Sequence, residues 1–219
     1  MPTPRRPRPR AKRAYHHGNL RSDLIGAAVE IIGKHGTSAL TLQALADRLA
    51  VSQAAPYRHF MNKEALLAAV AVDGFQALLD AVRAEMDAAG PDVVARYLAI
   101  GSGYMRFALS HRAHFQVMYG ARPVEFNLGA VADAGRAAFK LLVDAIVACQ
   151  SAGRAAAGDP TWIAVQTWSL VHGQVVLYCH HLLPRKIGPE RLLSMASQMS
   201  VFLTAAVPAW GPTAAALHG

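Results

Sequence analysis

Apolar residues recur at helical spacing along most of the chain. The first such segment covers residues 19–34, and Gly36 behind it is a typical helix stop. A longer pattern covers about residues 63–88 and ends before the Gly90-Pro91 pair. Neither an alternating strand pattern nor an internal repeat occurs, so the sequence predicts an all-α fold. Further helices are predicted at about 92–110, 112–119, 125–152, 160–183 and 189–207.

Residues 41–63 contain two short helical segments with a tight break at Ala50-Val51-Ser52. The first covers residues 42–49, and the second, called the recognition segment below, covers residues 53–60. Thr41 and Ser52 occupy positions where side chains cap helix N-termini. Two short helices joined by a tight turn can place the second in the major groove of DNA. Side chains suited to base edges or phosphates follow the break: Gln53, Tyr57, Arg58, His59 and Lys63.

The basic residues are concentrated in the N-terminal third of the chain. The formal net charge is +8, and residues 1–65 hold eleven Lys or Arg against four Asp or Glu. Such asymmetry points to a polyanion at that end. Because proline opposes helix and like charges repel, residues 1–14 are expected to form a disordered arm. The arm could follow DNA phosphates, enter the minor groove, or remain a solvated tail; its cations are Arg5, Arg6, Arg8, Arg10, Lys12 and Arg13.

Residues 161–183 carry no formally charged side chain and are apolar nearly all round. Length alone would fit a membrane span. A helix apolar on every side is better explained by burial on two sides, against its own core and against a partner subunit. The N-terminus also lacks the apolar stretch of a secretory signal, so a cytoplasmic protein without membrane association is expected. The polar interruptions that argue against a span are Gln166, His172, Gln174, His180 and His181.

Cysteine and histidine residues offer candidate chemistry elsewhere in the chain. Cys149 and Cys179 lie in apolar helical stretches, and we expect buried free thiols rather than a disulfide. His111 and His114 are three residues apart and His180-His181 are adjacent, but neither pair has further ligands at metal-site spacing. We therefore predict no metal and no cofactor. Gly-rich phosphate loops, nucleophile elbows and paired carboxylates are also missing, so an enzyme is not expected.

Four short strings occur in a specific order in the first third of the chain. They are YHHGNLR at 15–21, TL at 41–42, VSQAAPYRHF at 51–60 and KEALL at 63–67. Together they resemble the DNA-binding head of the TetR family of bacterial regulators. Ala50 departs from the glycine usual at the turn, which costs about 1 kcal/mol if its backbone is left-handed. In the body, Trp168, His172 and Gly173 resemble the W…HG signature of one C-terminal subgroup, the WHG type.

The resemblance implies a homodimer. Each subunit would have a three-helix helix-turn-helix head at 15–65 and a ligand-binding and dimerisation domain at 66–219. Each head would offer its third helix to half of a near-palindromic DNA operator, and the last two long helices of each subunit would form a four-helix interface. A pocket in the body would bind a small effector and thereby release DNA. The positions that the resemblance assigns to DNA contact are Thr41, Gln43, Ser52, Gln53, Ala54, Ala55, Tyr57, Arg58, His59 and Lys63.

These positions have physical reasons and, in part, structural alternatives. Gln43 and Gln53 can both donate and accept, as an adenine edge requires. The hydroxyls of Thr41 and Ser52 can meet phosphate, but capping alone would also explain them. His59 suits a phosphate contact or a purely structural role.

Aromatic residues divide between the core and possible sites. Phe60 is expected in the core, whereas Tyr57 is expected to face DNA. In the body, an apolar pocket with few charges would suit a hydrophobic or aromatic effector. The residues expected to line it are Tyr104, Phe107, Phe115, Met118, Trp168 and His172.

These features predict a sequence-specific DNA-binding transcriptional regulator, cytoplasmic and associated with the bacterial nucleoid when bound to DNA. A repressor is the simplest form, because occupancy of a promoter is enough to repress. The main alternative is a sequence-blind DNA-binding protein, whose affinity would be equal on any duplex and would fall steeply with salt. A helical enzyme and a membrane-associated protein are the remaining alternatives.

Overall fold

In the computed structural model of the chain, residues 19–120 and 129–204 are described, and they form helices without any β-strand. The all-α prediction is thus confirmed for these ranges. Short 3₁₀ turns cover Thr37–Ala39, Pro56–Arg58 and Met195–Ser200. The α-helices are α1 (Leu20–His35), α2 (Leu42–Leu49), α3 (Lys63–Ala88), α4 (Val93–Ser110), α5 (Arg112–Tyr119), α6 (Gly129–Ser151), α7 (Pro160–Cys179), α8 (Pro189–Ser194) and α9 (Val201–Thr204).

The head is a small helical unit made of α1, α2 and the start of α3. Its core includes Leu24, Leu40, Leu45 and Leu66, all without solvent exposure. Helix α3 begins behind Asn62, whose side chain accepts a hydrogen bond from the Ala65 amide at 2.8 Å. The predicted boundary between residues 65 and 66 therefore falls inside a continuous helix.

Helix α3 is the centre of the molecule, since it packs against α4, α5 and α6. At Gly103 of α4 an added Cβ would lie 2.7 Å from the Cα of Val82, and at Gly74 of α3 it would lie 2.7 Å from the Sδ of Met118. Glycine at these positions allows neighbouring helices to approach closely. Among the described helices, α3 has the length and composition of a membrane span, but it forms the core of this fold. Helix α7, where the sequence raised that possibility, is not apolar enough.

Two C-terminal helix predictions need correction. Helix α7 ends at Cys179 rather than at residue 183, because the backbone of His181 turns left-handed with φ 58°. The amide of Leu182 then donates to the Leu177 carbonyl at 2.9 Å, which closes the helix end. The helix predicted at 189–207 is divided into α8, a 3₁₀ turn and α9 as far as residue 204. Residues 205–219, like 1–18 and 121–128, lie outside the described ranges.

The turn after α2 is closed by Ala50 in the left-handed conformation, with φ 53° and ψ 40°. The Ala50 amide donates to the Asp47 carbonyl at 3.2 Å, and the Val51 amide donates to the Ala46 carbonyl at 3.0 Å. This pair of bonds is a Schellman motif, in which glycine is the usual left-handed residue. The Cβ of Ala50 therefore stores strain in the turn that aims the recognition segment.

Replacing Ala50 with glycine is expected to raise the free energy of unfolding by about 1 kcal/mol, because glycine adopts this conformation without a Cβ clash. Urea denaturation measures the change. Ala44→Gly is the matched control, because Ala44 lies inside α2. It should lower stability by about 1 kcal/mol. Equal losses in both variants would show that position 50 is not strained.

Candidate nucleic-acid interface and ligand cavity

The recognition segment is not the regular α-helix that the sequence predicts for residues 53–60. It consists of turns and the 3₁₀ helix Pro56–Arg58. Pro56 has no amide hydrogen, so the α-helical bond from residue 56 to the Ser52 carbonyl cannot form. That carbonyl accepts instead from the Ala55 amide at 2.9 Å, and the Arg58 amide donates to the Ala55 carbonyl at 3.2 Å. The proline thus converts the predicted helix into a tighter turn.

The structure exposes most of the side chains assigned to DNA contact. Tyr57 is 54% exposed, whereas Phe60 is 3% exposed and receives the guanidinium of Arg21 at 5.4 Å from its ring centre. Phe60 therefore belongs to the core, as the sequence predicts, and Tyr57 does not. Ala55 and Lys63 are half-buried. The exposed positions are Thr41, Gln43, Ser52, Gln53, Ala54, Tyr57, Arg58 and His59.

Three of the assigned polar side chains already have partners within the head. Thr41 Oγ1 accepts from the Ala44 amide at 3.0 Å, which confirms its role as the cap of α2. Gln53 Nε2 donates to Asp47 Oδ1 at 2.6 Å, and this bond ties the recognition segment to α2. Lys63 Nζ donates to the Thr37 carbonyl at 2.6 Å. The ammonium of Lys63 is therefore held against the head.

The described part of the head is close to electrical neutrality. Residues 19–65 contain five Lys or Arg and four Asp or Glu. One of these cations, Arg48, forms an ion pair with Glu30. The basic excess of the N-terminal third therefore lies in residues 1–13, outside the described residues.

Met61 is an exposed residue that the sequence reasoning missed. It is 84% exposed and follows the buried Phe60 directly. Apolar type alone predicts burial, and the helical pattern fails here because the recognition segment is not a regular helix. Met61 therefore adds an exposed apolar side chain directly after the recognition segment.

The body contains an apolar cavity of about 840 Å³ between α3, α4, α6 and α7. Of the expected lining residues, Tyr104 and Trp168 do line it. The other four, Phe107, Phe115, Met118 and His172, do not line it and correct that prediction. Phe107 and Met118 are fully buried, and Phe115 and His172 lie behind Tyr104, within 6.3 Å of its ring centre. Three small residues of α6 also line the cavity: Ala132, Gly135 and Ala138. Apart from their helical spacing, nothing in the sequence marks them as lining residues.

Uncharged polar side chains lie in the wall of this cavity and directly beside it. The Tyr104 hydroxyl lies 2.7 Å from His172 Nδ1, and the Tyr97 hydroxyl lies 2.6 Å from Thr167 Oγ1. Burial raises the pKa of Tyr97 to about 12 and that of Tyr104 well above its usual range. Burial also raises the pKa of Tyr119, which lines the cavity, to about 12. Since burial lowers the pKa of His172, all these groups are neutral near pH 7.

The histidine pairs considered for metal binding are engaged in other contacts or lie apart from further ligands. His114 Nε2 lies 3.0 Å from Asp73 Oδ2, while the ring of His111 stacks on Phe107 with centres 5.1 Å apart. Within residues 19–120 and 129–204, no group of three or more His, Cys, Asp or Glu could hold a metal ion. His180 is exposed at the end of α7, next to the left-handed His181.

Both cysteines are free thiols, as the sequence predicts. Cys149 is buried, and its Sγ lies 3.4 Å from the Val93 carbonyl. Cys179 is half-buried rather than fully buried. Burial raises the pKa of both thiols.

A three-part helical head with a tight left-handed turn, placed on a helical body with an apolar cavity, defines a helix-turn-helix DNA-binding protein. Residues 24–70 match the family model described as bacterial regulatory proteins of the tetR family. Residues 97–199 match the model of the tetracyclin repressor-like C-terminal domain. The chain therefore belongs to the TetR family of transcriptional regulators, which bind DNA through this head.

Solved structures show the same fold. A protein of unknown function from Rhodococcus sp. RHA1 is 31% identical, with a TM-score of 0.74 over 88% of this chain and 99% of that one. A tetR-family regulatory protein from Rhodococcus RHA1 is 25% identical, with a TM-score of 0.63 over 86% and 99%. The fatty acid degradation regulator FadR from Bacillus halodurans is 14% identical, with a TM-score of 0.67 over 85% and 95%. No curated protein sequence matches this chain significantly.

The half-buried His172 is expected to make stability fall at acid pH. Because its pKa is lowered in the folded state, the unfolded chain binds the proton first as pH falls through the ordinary value of 6.5. The free energy of unfolding of the wild type should therefore decrease more than that of His172→Gln between about pH 7.5 and about pH 5.5. Urea denaturation at each pH measures this difference. His172→Asn is a second variant without a titrating side chain, and agreement with His172→Gln would show that lost titration, not lost contacts, causes the difference. An equal pH dependence of the free energy of unfolding in all three proteins would contradict the assignment.

Proposed function

We propose that this protein is a sequence-specific repressor that leaves its operator when a small hydrophobic or aromatic molecule occupies the body cavity. The observation that carries the proposal is the apolar cavity of about 840 Å³, with α3 running unbroken from the head to its wall. Leu78, Leu79 and Val82 of α3 line the cavity, while Lys63 at its start contacts the head at Thr37. A ligand that shifts α3 would therefore move the head.

The DNA contacts proposed for the head come from the exposed side of the recognition segment and its neighbours. Gln53 and Arg58 supply groups that can read base edges, and Tyr57 and His59 suit phosphates. Lys63 would have to share its ammonium between Thr37 and a phosphate. Thr41, Gln43, Ser52, Ala54 and Ala55 complete the proposed surface, and the cations of residues 5–13 would add phosphate contacts. DNA binding of this kind would place the protein on the bacterial nucleoid.

We also infer a homodimer through α7. Ile163, Ala164 and Val171 face the core, whereas another side of the same helix is left uncovered. Trp162 and Leu177 on that side are 45% and 42% exposed. An added Cβ at Gly173 would meet no atom within 4 Å. The uncovered α7 face consists of three exposed residues, Trp162, Ser169 and Leu177, and four half-buried ones, Val165, Gln166, Leu170 and Gly173. Together they have the helical spacing of a packing surface.

The string from Trp168 to Gly173 supports a finer assignment of the body to the WHG subgroup. Trp168 and His172 both contribute to the aromatic cluster beside the cavity, with ring centres 5.5 Å apart. In this assignment the signature residues would support the effector cavity on one side of α7 and the dimer contact on the other.

DNA recognition is tested by fluorescence anisotropy with the DNA that flanks the gene for this protein and with a scrambled duplex. At physiological salt the flanking DNA is expected to bind at least about a thousandfold more tightly. Tyr57→Ala should abolish that specific binding, because it removes an exposed ring from the recognition segment without touching the core. Light scattering should show an intact dimer in the variant.

Two matched variants sharpen this test. Tyr57→Phe retains the ring and should keep part of the affinity, while Leu182→Ala alters an exposed apolar residue of the body and should keep all of it. Equal, salt-sensitive binding to both duplexes would favour a sequence-blind protein. Unchanged affinity in Tyr57→Ala would remove the recognition segment from the proposed interface.

The dimer is tested with Gly173→Glu. The glutamate has open space in the single subunit and favours helix, so the fold should persist. A charge on the uncovered α7 face should dissociate the dimer, because burying it without a partner is unfavourable. Sedimentation equilibrium measures the subunit mass. The control is Gly26→Glu, another helical glycine with open space, in α1. A fully dimeric Gly173→Glu protein would exclude this face as the interface.

A further inference from the structure

Resting on the proposed effector cavity, we propose that its ligand is an uncharged molecule with a fused-ring or aromatic body and one hydrogen-bond donor, such as a hydroxyl, at its inner end. Three independent features of the lining lead to this class. They are the aromatic rings of the lining, the lack of a described counter-ion deep in the cavity, and the hydrogen bond in which Thr167 gives its proton to Tyr97.

The cavity wall favours flat apolar surfaces. Five aromatic rings of the described residues line it, namely Phe75, Tyr104, Tyr119, Phe139 and Trp168. Phe75 meets Tyr119 edge to face with centres 6.1 Å apart, and Phe139 meets Trp168 in the same way at 6.3 Å. Rings in such arrangements accept further rings by stacking or edge contact. The volume of about 840 Å³ is at the upper end of the range for drug-sized ligands, so more than one ring fits.

A charged ligand group would find no compensation deep in this cavity. Among the described residues that line the cavity there is no Asp or Glu, so an ammonium would find no carboxylate among them. The two cations in this set, Arg136 and Lys140, have side chains that are 69% and 72% exposed, so they lie towards solvent. Each is also paired on α6, Arg136 with Asp133 and Lys140 with Asp144. A buried carboxylate or ammonium would therefore be desolvated without a counter-ion, which is strongly unfavourable.

The hydrogen bonds of Thr167 determine which polar group fits best. The Tyr97 hydroxyl donates to the Met199 carbonyl at 3.2 Å, because a carbonyl can only accept. The Tyr97 oxygen must then accept the proton of Thr167, whose Oγ1 lies 2.6 Å away. Thr167 is one of the lining residues, although only 1% of its surface is exposed. A hydroxyl oxygen that gives its proton to Tyr97 can still accept one hydrogen bond from a ligand group that reaches it. The group that complements it is a donor, either O–H or an uncharged N–H.

The other polar pair beside the cavity is uncharged as well. Tyr104 lines the cavity, and its hydroxyl is bound to His172, which stands behind it. His172 thus acts as a positioning residue that fixes the direction of the Tyr104 ring. Since both groups are neutral, this end of the cavity adds no attraction for an anion or a cation.

Four pyrene probes with the same ring body separate these possibilities. They are pyrenemethanol as neutral donor, pyrenecarboxaldehyde as acceptor only, pyrenecarboxylate as anion and pyrenemethylammonium as cation. Isothermal titration with the full-length protein, without DNA, measures each Kd. The alcohol should bind at least about tenfold more tightly than either ion and about fivefold more tightly than the aldehyde. Tightest binding by the carboxylate, the ammonium or the aldehyde, or no binding of the alcohol, would overturn the proposal.

Variants at Thr167 test the donor requirement directly. Thr167→Val keeps the shape but removes the hydroxyl, so the preference for the alcohol over the aldehyde should fall to about one. Thr167→Ser keeps the hydroxyl and should retain the preference. If circular dichroism shows that Thr167→Val does not fold, the serine variant and the probe series still decide the matter. An alcohol preference that survives in a folded Thr167→Val protein would exclude Thr167 as the anchor.

Two tryptophan substitutions on α6 test the location. Ala138→Trp fills the cavity and should abolish binding of the alcohol. Ala148→Trp is the matched control, because Ala148 is an exposed α6 residue that lines a different depression, beside Arg83 and Arg96. Loss of binding in Ala148→Trp alone would place the ligand there and overturn the proposal.

The outcome is separable from that of the proposed repressor function. The probe ranking is measured without DNA, whereas release is measured by adding the tightest probe to the complex with operator DNA. The expected ranking without release would support the ligand class and contradict effector release. Release by a charged probe that also binds most tightly would support effector control and overturn the ligand class.

Discussion

The close contact of α3 with α4 and α5 is the constraint on which the rest of the structure depends. Gly103 lets α4 rest on the backbone of Val82, and Gly74 leaves room for the thioether of Met118. Because α3 starts in the head and later forms one wall of the cavity, its position fixes both parts at once. A side chain at either glycine would push apart helices that hold the fold together. The constraint is therefore steric, and the atom in the way is a backbone atom at Gly103 and a side-chain atom at Gly74.

Helix α5 provides a second connection between the two parts. Near its first turn, Ala113 is in contact range of Gly33 on α1, since a Cβ added there would lie 3.8 Å from the Ala113 Cβ. Its last residue, Tyr119, lines the cavity. Eight residues of α-helix span only about 12 Å. The cavity is therefore linked to the head through α3 and α5 together, and the proposed effector would have two helices through which to act on the head.

Sequence periodicity was sufficient to predict the long helices. It was insufficient where a single residue changes the backbone conformation. Helix α3 matches the predicted range of about 63–88, because its apolar stripe is long and its ends are marked by Asn62 and Gly90. The recognition segment differs because Pro56 removes one amide, and α7 ends early because His181 turns left-handed. In the cavity, aromatic type alone could not separate Tyr104, which lines it, from Phe107, which is fully buried and does not line it. That distinction depends on the rotation of α4 against its neighbours, which the sequence does not encode locally.

The near-neutral charge of the described head determines which residues would contribute electrostatic free energy to the proposed complex with DNA. Its described residues hold five basic and four acidic side chains, whereas the six cations of residues 1–13 stand without any acid among them. Counter-ion release would then come chiefly from the arm, and base readout chiefly from the recognition segment. In the proposed complex, affinity and selectivity would thereby be encoded in separate stretches of the chain. Changes in the arm would alter the affinity for every duplex by a common factor, and changes near Tyr57 would alter which duplex is preferred.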